Sequence, residues 1–233
     1  MLNPFQTTIW TSIRMARDGK STAINDFVAK YRQPVLSFIR RRGYAEEDAE
    51  DLCQEVFLLL LKDNLLARAE QSRGRFRSFL LGVTQNVVRN AQRIRTAAKR
   101  GGAAAPVSLD ATVGDDASMA SFIEAGAPDD NFDRDWIHQL IQLALEALER
   151  RHPRLHQVLK MHLDQGLPYA EMARALGLEA KQVDNLLQQA RSKLAELIRG
   201  EIAAYCGSRE EYDDEIACLK RYLAPARTPA ESQ

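Results

Sequence analysis

Apolar side chains recur every three or four residues along most of this chain, and no segment alternates with the two-residue period of a strand. This recurrence predicts an all-α protein, because a helix of 3.6 residues per turn places such positions on one face. The first helical pattern contains Phe27, Tyr31 and Phe38. Pro34 interrupts it as an expected kink or break, and Gly43 is expected to end it.

Residues 48–57 separate acidic from apolar side chains most completely. Asp48, Asp51 and Glu55 share one face of a helix, with Gln54 at its edge. The apolar face is predicted to be buried and contains Ala49, Leu52, Cys53, Val56, Leu59 and Leu60. On these residues alone, an ordinary surface helix with a charged side is the simplest interpretation.

A basic stretch at residues 74–100 repeats the helical period, with Phe76 and Phe79 among its apolar positions. Arginines, phenylalanines and amides together suit a single strand of DNA, since cations follow phosphates, rings stack on bases and amides read base edges. The alternative is that both Phe side chains are core and the arginines are a solvated face. We favour that alternative for the Phe residues, but less for the arginines, because few acids offset them.

Residues 99–133 are rich in Gly, Ala, Ser, Pro and Asp, which predicts a linker and a domain boundary. Helical periodicity resumes at Trp136, and Pro153 is placed at a helix start. The last patterned stretch, at 205–223, is acidic and amphipathic, and it is expected to pack on one of the two domains. Its simpler role is a structural cap, and the alternative is an autoinhibitory or partner-binding tail.

A tight unit at residues 169–198 has the layout of a helix-turn-helix. Ala173 is a small residue where two helices cross, Gly177 lies in the turn, and Val183 and Leu187 face inward. The alternative is a helical hairpin without a DNA role. If the unit binds DNA, its second helix enters the major groove. The residues expected to reach bases or phosphates are Lys181, Gln182, Asn185, Gln188, Gln189 and Arg191.

The formal net charge of zero conceals strong segregation of charge along the chain. Residues 1–100 contain 18 Lys and Arg against 10 Asp and Glu, a net charge of +8. Residues 101–135 contain one Arg against eight acids, a net charge of −7. The basic N-terminal part is therefore compatible with a polyanionic partner, whereas the acidic segment is not.

Three cysteines without a C-x-x-C spacing predict neither a disulfide framework nor a zinc site. A reducing cytosol fits this usage, and no signal-peptide or membrane-spanning run is visible, so a cytoplasmic protein is expected. His152, His156 and His162 are joined by no cluster of cysteines or carboxylates in the sequence and are interpreted as structural. No metal, cofactor or catalytic nucleophile is expected, and a metal-dependent hydrolase is only a distant alternative.

Four features follow one another along the chain: the acidic DAEDLCQEVF helix, the basic FRSFLLGVTQNVVRN helix, a linker and the GLPYAEMARALGL helix-turn-helix. In this order they resemble a bacterial RNA polymerase sigma factor of the extracytoplasmic function (ECF) group. The resemblance covers roughly residues 10–200, and its specificity lies in the order of the motifs. It implies a protein that binds core RNA polymerase and promoter DNA and directs promoter-specific initiation. An anti-sigma factor or another regulatory protein is a possible further partner, and no membrane is expected.

The same resemblance implies a domain layout. An N-terminal helical bundle, sigma domain two, occupies 1–98, and an acidic linker directed toward the polymerase channels occupies 99–133. The helix-turn-helix domain, sigma domain four, occupies 134–200 and would read the minus-thirty-five element. An extra C-terminal helix lies in 201–233.

The resemblance also assigns residues. The implied polymerase contacts are Asp48, Asp51, Leu52, Gln54 and Glu55. The implied contacts for opening the minus-ten element are Arg75, Arg77, Gln85, Asn86, Arg89, Asn90 and Arg93. A free-standing helix-turn-helix regulator that does not dock on polymerase is the alternative function.

Three departures from the family pattern matter, and one of them is the C-terminal stretch, since about thirty residues extend beyond the usual end of the family. Asp184 and the glutamines at 188 and 189 replace residues that are commonly basic, small or aromatic, so phosphate attraction should be weak and polymerase tethering should supply more of the affinity. Cys53 stands where some relatives have a phosphorylated Thr. We therefore predict no phosphorylation switch at this position, and we expect Cys53 to be buried and unreactive.

Overall fold

The computed structural model describes residues 21–61, 76–99, 129–206 and 208–224. All regular structure within these ranges is helical, which confirms the all-α prediction. The helices are α1 (Ser21–Arg41), α2 (Glu46–Leu61), α3 (Phe76–Lys99), α4 (Asp130–Arg151), α5 (Pro153–Leu163), α6 (Tyr169–Leu176), α7 (Ala180–Ala203) and α8 (Arg209–Leu223). None of these described helices is both long enough and apolar enough to cross a bilayer.

The chain divides into two compact units. Unit two is a single stretch, His138–Ala203, whereas unit one contains the chain up to Ile137 and again from Ala204 onward. The C-terminal helix α8 therefore belongs to the same unit as α1, α2 and α3. This confirms that the C-terminal stretch packs on a domain, although its helix begins at Arg209 and not at residue 205.

Aromatic rings from distant parts of the sequence form the core of unit one. Tyr31 stacks on Trp136 with 5.1 Å between ring centroids, and Phe76 meets Tyr31 edge-on at the same distance. Tyr205 meets Trp136 edge-on at 5.4 Å. Because such rings bury large areas, these contacts join α1, α3, the start of α4 and the C-terminal stretch.

Helix α1 continues through Pro34, so of the kink or break expected there, the break does not occur. Val35, Leu36, Phe38 and Ile39 are all buried directly after it, and this packing compensates for the missing backbone hydrogen bond. The helix ends as predicted, since Gly43 adopts a φ of +82°, which suits glycine.

Helix α4 begins within the predicted linker. An Asp129 carboxylate oxygen accepts the backbone N–H groups of Asn131 and Phe132 at 3.0 and 2.9 Å, which satisfies the first turn. The Phe132 ring is buried against Phe38, with 6.1 Å between centroids. The cap and this packing start the helix at Asp130, before the predicted linker end at residue 133.

Unit two contains the predicted helix-turn-helix. Helix α5 begins at Pro153, and α6 ends at Gly177, which adopts a left-handed φ of +63° and lets the chain turn into α7. Val158, Met172, Ala173, Val183 and Leu187 form a buried cluster between these helices. The crossing at Ala173 and the inward positions in α7 are therefore confirmed.

Candidate nucleic-acid and partner interfaces

Helix α2 separates its acidic and apolar sides as the periodicity predicted. Asp48, Asp51 and Gln54 are exposed and Glu55 is half-buried, whereas Ala49, Cys53, Val56 and Leu60 are buried. Leu52 is half-buried at the boundary between the sides. The acidic side chains thus lie on a helix whose opposite side is packed in the core.

The acids of α2 fall into two groups. Glu46 and Glu50 form salt bridges with Arg40 and Arg32 of α1 and fasten the two helices together. Asp48, Asp51 and Glu55 form no salt bridge with any described residue. These three carboxylates are therefore available to an external cation, and burial raises the pKa of the Glu55 carboxyl.

Leu58 is a part of this surface that the sequence reasoning missed. Its residue surface is 66% exposed, and it lies seven residues after Asp51, on the same side of the helix. The signal was visible in the run of four leucines at 58–61, of which only some can face inward. We call Asp48, Asp51, Gln54, Glu55 and Leu58 the acidic face.

Helix α3 presents a polar strip on one side. Arg89 and Arg93 are exposed, and Gln85, Asn86 and Asn90 are half-buried. Arg89 donates a hydrogen bond to the Asn86 side-chain oxygen at 3.3 Å, so a cation and an amide lie side by side. Phe76 and Phe79 are buried, which confirms that they belong to the core.

Arg77 does not lie on the polar strip, and Arg75 is outside the described residues. Twelve positions separate Arg77 from Arg89, which rotates its side chain about 120° around the helix. The Arg77 guanidinium is buried and lies 2.9 Å from an Asp133 oxygen and 3.1 Å from a Glu215 oxygen. The structure thus places Arg77 in an internal ion-pair network and not with the proposed DNA contacts.

The exposed side of α7 contains all six residues predicted to face DNA. Some of them already have partners within the unit. Gln182 accepts the Glu179 N–H at 2.8 Å, and Gln188 donates to the Asp184 carboxylate at 3.0 Å. Lys181, Asn185 and Gln189 form no side-chain hydrogen bond with a described residue, so they are the most available for readout.

His162 of α5 holds Arg191. The Arg191 guanidinium lies 3.1 Å from His162 Nε2, and because a guanidinium can only donate, Nε2 is the acceptor. Within the described ranges, no cluster of three or more His, Cys, Asp or Glu side chains is arranged to hold a metal ion. The contact gives His162 a structural role beside α7.

Cys53 lies in the core side of α2, where its residue surface is 2% exposed. Burial raises the pKa of its thiol to about 11. The thiolate, which is the reactive form, is therefore scarce at neutral pH. A kinase could not reach a side chain at this position in the folded protein.

A family model described as ECF sigma factor matches residues 6–200. This span contains the acidic face, the polar strip and the helix-turn-helix, and it ends before Tyr205 and α8. No curated protein matches the chain.

Proposed function

This chain belongs to the ECF sigma factor family, and we propose that it docks on core RNA polymerase through the acidic face and opens the minus-ten element with the polar strip of α3. Membership implies a subunit that binds RNA polymerase and directs promoter-specific initiation. The family is not one of catalytic enzymes.

The acidic face supports docking by charge and by shape. Asp48, Asp51 and Glu55 match the basic coiled coil that sigma factors of this kind engage, and complementary charge orients the encounter. Leu58 adds an exposed apolar anchor among them. Burying one leucine stabilises a complex by roughly 1.5–3 kcal/mol. The carboxylates beside this leucine, which form no salt bridge with any described residue, are the observation that carries the proposal.

The polar strip supports strand opening. Arg89 and Arg93 can follow phosphates, and the half-buried amides of Gln85, Asn86 and Asn90 can read the edges of a base that has left the stack. Phe76 and Phe79 are unavailable for stacking because the core holds them. We therefore assign base capture on α3 to amides and guanidinium groups.

Three polar residues on the second helix of the helix-turn-helix support recognition of the minus-thirty-five element. Lys181, Asn185 and Gln189 project from α7 without internal side-chain partners among the described residues. Asp184 places a negative charge beside them, so the phosphate contribution to affinity is small. Tethering to polymerase then supplies the effective concentration that this weak contact needs.

A pull-down with core RNA polymerase, followed by transcription of a genomic library with the recovered complex, tests this function. The proposal predicts co-purification and transcripts that start at a defined set of promoters. A free-standing DNA-binding regulator would shift DNA without recruiting polymerase or producing new starts. Absence of both co-purification and specific starts would refute polymerase docking.

A further inference from the structure

The C-terminal stretch, residues 204–206 and 208–224, lies beyond the part of the chain that matches the family model. We call it the C-terminal segment. It is nevertheless built into unit one, where Tyr205, Cys206, Glu215, Cys218 and Leu219 are buried. A buried glutamate here requires a specific partner, because an unpaired buried charge is strongly unfavourable.

The C-terminal segment covers residues 129–137, which precede and open α4. We call them the acidic-aromatic segment. Three of its carboxylates pair with arginines of unit one. Asp129 lies 3.8 Å from Arg42, Asp133 lies 2.9 Å from Arg77, and Asp135 pairs with Arg41. Its two large rings, Phe132 and Trp136, are buried in the aromatic core.

Three side chains of the C-terminal segment fasten it to this region. Tyr205 accepts the Trp136 indole N–H at 3.2 Å and donates to Glu215 at 3.0 Å. Glu215 in turn pairs with Arg77 at 3.1 Å, and the Tyr222 hydroxyl donates to the Asp130 carbonyl at 3.0 Å. The network links α3, the acidic-aromatic segment and the C-terminal segment in one continuous set of contacts.

The charges of this network are mutually dependent. Burial opposes the positive charge of Arg77, but Glu215 and Asp133 outweigh this effect and raise the Arg77 pKa. A buried ion pair adds little net stability, because the cost of desolvation offsets much of the Coulombic gain. All three charged groups can be solvated when the segments separate, so the network can open without leaving a purely apolar surface.

The connectivity gives this arrangement a consequence for the linker. Lys99 ends α3 and Asp129 precedes α4, and both belong to unit one. The two ends of the predicted linker are therefore both held in unit one. A sigma factor whose linker runs from domain two toward domain four has to free the far end of that linker.

We propose that the C-terminal segment is a clamp that keeps the acidic-aromatic segment on Arg41, Arg42 and Arg77 in the free protein, and that assembly with polymerase and promoter DNA opens it. The Asp135 and Asp129 carboxylates occupy the exposed Arg41 and Arg42 as DNA phosphates would. A polyanion competes for the same guanidinium groups, which couples opening to DNA. This inference rests on the proposed function.

The cysteines provide a direct readout of opening. Cys206 and Cys218 lie in the C-terminal segment and Cys53 lies in the core of unit one, and all three are buried. Full-length protein is pulsed with iodoacetamide, alone and in a gel-filtered complex with core polymerase and promoter DNA, and each cysteine peptide is quantified by mass spectrometry. We expect at least tenfold faster alkylation of Cys206 and Cys218 in the complex, with Cys53 unchanged.

The outcomes separate the clamp from the proposed function. In one outcome the protein co-elutes with polymerase while the alkylation rates of Cys206 and Cys218 do not increase, and in another it co-elutes while the rates of all three cysteines increase equally. Either result overturns the clamp and leaves the docking proposal standing. Absence of co-elution refutes both.

A matched pair of variants distinguishes a clamp from a permanent cap. Glu215→Gln removes the charge that holds Arg77, whereas Glu210→Gln removes the same charge from an exposed position of the same helix. We expect Glu215→Gln, unlike Glu210→Gln, to speed Cys218 alkylation in the free protein and to increase promoter affinity of the polymerase complex at least threefold. Faster alkylation with unchanged or weaker promoter affinity would identify a cap and overturn the clamp.

Discussion

At the scale of single residues, Arg77 and Arg89 show how one helix places identical side chains in opposite environments. Arg77 is enclosed by Asp133 and Glu215, whereas Arg89 is exposed on the polar strip beside Asn86. Both are arginines in a basic stretch, so sequence reasoning assigned both to DNA. Their difference arises from carboxylates that lie far away in the sequence and leave no local pattern.

Replacing each arginine by glutamine separates stability from DNA binding. Arg77→Gln leaves the buried Glu215 and the half-buried Asp133 without their cation and is expected to lower the free energy of unfolding by about 3–5 kcal/mol. Arg89→Gln should change it by less than about 0.5 kcal/mol but weaken promoter binding. Urea denaturation followed by circular dichroism measures the first effect. Equal stability of the two variants would contradict the burial of Arg77.

Cys53 predicts a specific pH dependence. Its pKa is raised from 9.0 to about 11 in the folded protein, so the folded state retains a proton that the unfolded state loses between these values. Its contribution to stability is therefore complete below pH 9 and is lost as the pH rises to 11. The expected loss is at most about 2.7 kcal/mol. Denaturant titrations of wild type and Cys53→Ala across this range measure it, and identical slopes would contradict it.

At the scale of elements, α2 combines a fixed apolar side with an acidic face that has its own apolar anchor. Leu58→Ala should weaken binding to core polymerase about tenfold or more, because the anchor loses most of its buried area. Stability should hardly change, since Leu58 is exposed. Leu163→Ala, at another exposed leucine in unit two, is the control. Equal affinities of the two variants would exclude Leu58 from the interface.

Helix α7 carries an acid among the residues proposed to face DNA. Asp184→Asn removes repulsion from phosphates and the charge that binds the Gln188 amide. Promoter affinity should rise several-fold at low salt, and the gain should shrink as salt screens the charge. Fluorescence anisotropy at increasing salt measures this, with Asp164→Asn after α5 as the control. A gain that does not depend on salt would point to a different cause.

The helical period predicted α2, α3 and the helix-turn-helix because each buries one regular apolar stripe. It predicted less well where tertiary contacts override local signals. Buried residues after Pro34 keep α1 continuous, and the Asp129 cap starts α4 inside the predicted linker. The exposure of Leu58 could be deduced from the leucine run, whereas the pairing of Arg77 with Glu215 could not, because only the fold brings them together.

At the scale of the whole molecule, the order of basic and acidic stretches along the chain agrees with the ion pairs that the fold forms. The acidic stretch that follows the basic N-terminal part ends in carboxylates that pair with arginines of unit one. The chain then forms unit two and returns to unit one with its C-terminal segment. The acids that offset the basic N-terminal part in the net charge thus include carboxylates that pair directly with its arginines.

The affinity of core RNA polymerase for charge-reversed protein tests the central claim most directly. Asp51→Lys combined with Glu55→Lys reverses the acidic face, and Glu210→Lys combined with Asp213→Lys makes the same change in net charge on α8. We predict that the first variant loses at least about a hundredfold in affinity, since like charges then oppose each other, and that the second binds like wild type. Equal binding by both variants would contradict docking through the acidic face.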